Sequence, residues 1–223
     1  MSNYIDAHCH IKSPVLSPGQ CIINASQISE WDEIITQAAT FPAAIGIHPW
    51  YIDDLPTDWV ARLEQKLADN PNLMVGEIGL DRMRANFDRQ IEIFTRQMEI
   101  AVRFNRTACI HCVRAWDVML GILGRMRSLP PAIIMHGYRA NTEITHALGV
   151  YGMIYYSFSR VVPAAGLVPQ NRILIETDGT RGINLGDLVT QMAALRGIDM
   201  AQLADIIYHN TQRVMNHGQI KSD

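Results

Sequence analysis

Short apolar runs of roughly four to eight residues alternate with longer stretches in which apolar positions recur every third or fourth residue, from one end of the chain to the other. The short runs read as strands: 4–8 (YIDAH), 21–26, 43–49, 74–81, 107–113, 132–137, 153–159 and 172–178. The periodic stretches read as helices. The clearest is 86–104, where Phe87, Ile91, Phe94, Met98 and Ala101 form one apolar stripe opposite Arg89, Glu92, Arg96 and Glu99. A second, over 58–69, takes Thr57 or Asp58 as N-cap, turns Val60, Leu63 and Leu67 inward and stops at Asn70-Pro71. Ser29 and Asp32 resemble a capping box for a helix to about 39. Further helices fit 115–127, 142–148, 186–196 ending at Gly197, and 200–216 after the cap Asp199.

Eight strands alternating with helices predict an α/β fold, a closed (β/α)8 TIM-type barrel, and no linker or low-complexity tract divides 1–223 into more than one domain. The barrel is trimmed. Residues 11–20, with Pro14, Pro18 and Gly19, are too broken for a helix, and 160–171 has room for about one turn, so the β1–β2 and β7–β8 connections are reduced.

Composition narrows the function. With 48% hydrophobic and 18% charged residues the 223-residue chain is ordinary for a globular protein, and a net charge of -3 excludes a global basic footprint for long nucleic acid. A local phosphate pocket stays open. The four cysteines form no secreted-type framework, the N-terminus carries no leader pattern and no apolar run reaches the roughly 18 residues a membrane span needs. The expectation is a cytoplasmic protein with no membrane association and no obligate protein partner.

Buried parallel strands should be apolar, so charged or imidazole side chains at their C-terminal ends carry a cost that calls for a reason. Here they stand in strand after strand: His8 and His10, His48, Glu77 and Asp81, His111, His136, Asp178. In a barrel those ends share one face. Alternation turns His8 and His10 the same way and Cys9 the other, and groups Glu77 with Val75, Gly79 and Asp81, and Asp178 with Leu174 and Glu176. Each residue singly has a plainer reading; Glu77 and Asp178, for instance, fit a helix-dipole partner and an N-cap. Their convergence instead suits divalent ions of the Zn, Mn, Ni or Co type, with Mg bound more weakly. Cys109-Ile110-His111-Cys112 lacks a second C-x-x-C pair and is read as packing in a strand, not as a zinc finger. His146, His209 and His217 fall on helices away from this face.

The blocks "DAHCH", "GIHPW", "VGEIGLDR", "IHCVRAW", "IMHG", "ILIETD" and "HNTQRVM" resemble, in order, those of the TatD-like metal-dependent deoxyribonucleases of the amidohydrolase superfamily. "GEIGLD" at 76–81 and the following helix, close to the family's Q-x-x-x-F-x-x-Q, are the most specific. The resemblance implies two divalent metal ions, one held by His8, His10 and Asp178, the other by His111 and His136, with Glu77 bridging. It implies Asp178 as general base, and His48 with Arg114 or Arg139 as contacts to the substrate phosphate, in a nuclease acting on DNA or oligonucleotide ends. There are departures. Arg114 lies one position later than the family's H-x-R, Gly137-Tyr138 replaces its cysteine-phenylalanine pair, and "GTRGIN" after Asp178 is short. A small-molecule hydrolase of the same superfamily, cleaving an amide, lactone or phosphoester, and a metal-loaded binding protein are the alternatives.

Overall fold

The computed structural model describes residues 4–11 and 20–216. Eight strands stand side by side in chain order: β1 (Asp6–Cys9), β2 (Cys21–Asn24), β3 (Ala43–Ile45), β4 (Met74–Asp81), β5 (Ala108–Val113), β6 (Ile133–Met135), β7 (Ile154–Phe158) and β8 (Ile173–Ile175). Every neighbouring pair is parallel. The sheet curls until β8 reaches β1, where the Asp178 amide donates to the His8 carbonyl at 3.0 Å. At the same seam the Asp6 carboxylate accepts from the Thr177 amide (3.0 Å) and hydroxyl (2.6 Å). This is the expected (β/α)8 barrel.

The helices are α1 (Trp31–Gln37), α2 (Trp59–Asp69), α3 (Phe87–Arg103), α4 (Trp116–Arg125), α5 (Thr142–Gly149), α6 (Ala164–Leu167), α7 (Leu185–Arg196) and α8 (Met200–Asn216). The β7–β8 connection is as thin as its composition predicts, holding only the four-residue α6 and a 3-10 turn at Gln170–Arg172. Most of the expected reduced β1–β2 connection, and His217, lie outside the described residues. The capping box at Ser29 and Asp32 does not form. Ile28–Glu30 is instead a 3-10 turn whose Glu30 carboxylate accepts from the Ser26 amide at 2.7 Å, and α1 starts at Trp31. Among the described residues no helix is long and apolar enough to cross a membrane.

Two apolar layers sandwich the sheet. The outer one joins Ile23, Ile45, Val75, Ile110, Tyr156 and Ile175 to helix residues such as Leu63, Phe94 and Met98. The inner one takes one residue from each strand: Ala7, Ile22, Ala44, Met74, Cys109, Ile134, Tyr155 and Leu174. Contributions from all eight strands to one cluster place it in the lumen as a packed plug. Val214 of α8 closes the plug from below, its carbonyl accepting from the buried Thr107 hydroxyl at 2.9 Å.

A candidate metal centre at the strand ends

The layer above the plug is polar. Side chains alternate along a strand, so the residue two beyond each plug residue also faces the lumen. In β2, β3 and the strand ends of β5 to β8 these are Asn24, Gly46, His111, His136, Ser157 and Glu176. On strict alternation β1 and β4 would add Cys9 and Gly76, which carry no ligand suited to a hard site. Both strands break the alternation: the pairing slips between Asp6 and Cys9 in β1 and between Val75 and Ile78 in β4. The slips turn His8 and Glu77 inward, while Cys9 packs in the outer layer. The sequence grouping of Glu77 with Val75 is therefore wrong, because Val75 sits on the helix side of the sheet and the bulge separates the two.

Glu77 is the hub. Its Oε2 lies 3.4 Å from His8 Nε2 and 3.6 Å from His10 Nε2; its Oε1 lies 3.0 Å from His136 Nε2, 3.1 Å from His111 Nδ1 and 3.3 Å from His48 Nε2. One oxygen thus faces one pair of imidazoles and the other a second set. Asp178 stands nearest the first side, its Oδ1 3.3 Å from His10 and 3.7 Å from His8. Burial alone would raise the Glu77 carboxyl, yet the charges of His136, His48 and His8 and the His111 hydrogen bond hold it well below the usual range. Asp178 is likewise held low: burial would raise it, and the His10 hydrogen bond with the His136 and His8 charges outweighs that.

The supporting bonds fix the imidazoles. His10 Nδ1 lies 3.2 Å from the Asn24 carbonyl and His136 Nδ1 3.3 Å from Glu176 Oε1, and as donors there both present a lone pair at Nε2. His8 Nδ1 lies 3.2 Å from the Cys109 thiol, which burial pushes far above its ordinary pKa and keeps protonated. Neither residue is placed in the site from sequence: alternation groups Glu176 with Asp178 without a role, and Cys109 reads as strand packing. His48 differs. Its Nδ1 accepts from the Trp50 amide at 3.2 Å, so its Nε2 carries the proton toward Glu77. Proximity alone admits His48 to a ligand set with Glu77 and His111; its hydrogen bonds make it a donor instead.

The family-like motifs have a mechanical reading. A Cβ on Gly76 would lie 2.6 Å from Cys109 Cβ, and one on Gly79, at φ 154°, would lie 1.9 Å from the His111 carbonyl oxygen. Those glycines let β4 press against β5, so that Glu77 and His111 meet. On α3, buried Gln97 pairs with both the amide (2.8 Å) and carbonyl (3.1 Å) of Ile47, and Gln90 does the same for Asp81 (2.8 and 3.1 Å). Each amide substitutes for a missing strand neighbour and fixes the end that carries His48 or Asp81.

Strand ends differ from expectation at three positions. His48 caps a 3-10 turn (Pro49–Tyr51) beyond β3, His136 follows β6, and Asp178 follows β8 with φ 54°. Arg114 (φ 50°) and Arg139 are exposed on the loops after β5 and β6. His209 pairs with Asp205 on the outside of α8, and His146 lies in the last turn of α5.

The donor set fits divalent metal. His8, His10 and Glu77, and His8, His136 and Asp178, each offer ligand atoms within 4.8 Å of one another. Among the described residues buried His8 Nε2 and His111 Nε2 have no hydrogen-bond partner, a cost that a metal ligand would not incur.

Comparison with known proteins agrees with this chemistry. A family model described as TatD related DNase matches residues 5–216. An uncharacterized metal-dependent hydrolase, YjjV of Escherichia coli K12, is 26% identical over 204 residues, 78% of each chain. A 3'-5' ssDNA/RNA exonuclease TatD of Erwinia tasmaniensis is 26% identical over 87% of each. The crystal structure of YjjV superposes with a TM-score of 0.84 at 22% identity, covering 96% of this chain and 98% of that one.

Proposed function

The chain belongs to the TatD related DNase family, and from that premise we propose that it is a divalent-metal-dependent hydrolase cutting phosphodiester bonds at the ends of DNA or oligonucleotides. The observation that carries this reading is the two-sided Glu77, whose oxygens face separate imidazole sets. We assign two ions: His8, His10 and Asp178 would hold one, His111 and His136 the other, and Glu77 would serve both. Zn, Mn, Ni, Co and Mg are the candidates, with nitrogen donors favouring the first four. Bound there, such ions supply Lewis acidity and a water whose pKa is lowered toward neutrality.

The chain's own groups do the rest. Asp178, with 41% of its side chain exposed, turns a carboxylate toward the mouth and accepts the proton of the attacking water. His48 offers its Nε2–H to a nonbridging phosphate oxygen, a contact that strengthens as charge grows there. Arg114 and Arg139 hold the phosphate from the rim. Glu77 stays ionised and dry. Four free cysteines support a reducing, cytoplasmic setting.

Metal-supplemented protein should hydrolyse bis(p-nitrophenyl) phosphate and single-stranded DNA. Turnover of both should vanish with chelator and return with Mn or Zn. A lactone or amide rate far above the phosphodiester rate would overturn the assignment.

A further inference from the structure

Asp6 has no part in the two assigned metal sites, yet it is 8% exposed at the start of β1. A buried carboxylate is costly unless hydrogen bonds offset the lost hydration. Here three donors do so. Its Oδ1 accepts from the Thr177 amide at 3.0 Å and the His8 amide at 3.2 Å, and its Oδ2 from the Thr177 hydroxyl at 2.6 Å. The His8 bond falls where the β1 pairing slips, and the Thr177 bonds lie beyond the end of β8. One side chain thus holds backbone at two places where the strand ladder is interrupted or has ended.

Thr177 opens a tight turn. The Thr180 amide donates to the Thr177 carbonyl at 3.0 Å, and the two residues between, Asp178 and Gly179, have φ 54° and 65°. Positive φ at both central positions is the type I′ pattern, for which Asp-Gly is a preferred pair. Gly179 takes that conformation freely, whereas Asp178 takes it at a cost sustained only where the surroundings over-determine it. The restraints are specific. The Gly179 amide donates to the Thr177 hydroxyl oxygen at 3.2 Å, and the Asp178 amide donates to the His8 carbonyl at 3.0 Å. The bonds close a ring: Asp6 holds Thr177, Asp178 holds the His8 carbonyl, and the His8 amide returns to Asp6.

We propose that Asp6 and Thr177 are positioning residues that fix the Asp178 carboxylate against His8 and His10, acting through the turn and never touching the substrate. These roles rest on the reading of Asp178 as metal ligand and proton acceptor, and add what holds it rigid. The rival role is seam closure alone, in which the same bonds only join β8 to β1 and support the barrel. The two differ in how they depend on Asp178. Positioning has no effect once that carboxylate is gone, whereas seam closure costs the same with or without it.

Thr177→Val keeps the volume and removes the hydroxyl. It should lower kcat for bis(p-nitrophenyl) phosphate about 10- to 100-fold with KM nearly unchanged, and weaken one of the two Zn sites about tenfold in chelator competition. Thr177→Ser restores the hydroxyl and should return both values close to those of wild type. Asp6→Asn keeps the shape but turns one acceptor into a donor, and should repeat the Thr177→Val losses. In an Asp178→Asn background Thr177→Val should lower neither kcat nor Zn affinity further. Thermal melting of each variant separates lost stability from lost position. A Thr177→Val protein that melts lower but keeps wild-type kcat and Zn affinity, or that loses equally in both backgrounds, would overturn the proposal. If Thr177→Val fails to fold, the same comparison on Asp6→Asn decides it. Failure of wild type to hydrolyse the diester would sink the hydrolase reading instead, and the Zn affinities with and without the Asp178 carboxylate would still decide the positioning role.

Discussion

Glu77 and Asp178 are both carboxylates at strand ends, a few ångströms from the same imidazoles, yet the fold treats them differently. Glu77 is 2% exposed, turned into the lumen by a bulge in β4 and set against five histidines. Asp178 follows β8 in a left-handed conformation that only a few per cent of non-glycine residues adopt, pairs with His8 and His10 and keeps 41% of its side chain open. Burial and symmetric contacts suit a group that stays ionised and joins two cations. Exposure on one side suits a group that meets water and passes a proton. Position relative to the mouth, not residue type, separates the roles.

The strongest way to break that contrast is Glu77→Gln, which keeps the shape and removes the charge. It should lower phosphodiester turnover by about 10³-fold or more, because removing one partner leaves buried charge uncompensated; circular dichroism and thermal melting would establish that the variant folds. Asp178→Asn should cost about 10² to 10⁴-fold in kcat, the range of a lost general base, with KM for the diester nearly unchanged. Equal losses in binding and rate for both variants would erase the distinction.

A smaller effect is expected one bond further out. Glu176→Gln removes the charge that orients His136, and should weaken metal binding about 10- to 100-fold, read by competition with a fluorescent chelator. Proton counting sharpens the comparison further. Burial would lower His136, but the Glu77 and Glu176 charges hold it well above 6.5, whereas burial keeps His8 and His111 below. In the metal-free protein the His136 contribution to stability is therefore present below pH 6.5 and lost as pH rises through its raised pKa. Metal ligands bind deprotonated, so loading at pH 7 should release a proton from His136. Calorimetry in buffers of different ionisation enthalpy would measure it, and His136→Asn should release less.

The barrel was legible because each strand and helix carries its own periodicity, and the thin β7–β8 connection because 160–171 is too short for more than a turn. The polar strand ends were legible for the same reason, as misfits in apolar runs. What alternation missed lies where alternation fails. The slips in β1 and β4 separate Glu77 from Val75, and no spacing in the sequence marks a bulge beyond the glycines at 76 and 79. Glu176 was grouped on the correct face and Cys109 read as packing, but their bonds to His136 and His8 join residues 40 and 101 positions apart.

Counting bound metal in the purified protein and in Glu77→Gln is the most direct test of the shared carboxylate. The account predicts two ions per chain in wild type, by mass spectrometry and calorimetric titration with Zn or Mn, and at most one, weakly held, in Glu77→Gln. Two ions retained with unchanged affinity in that variant would contradict it.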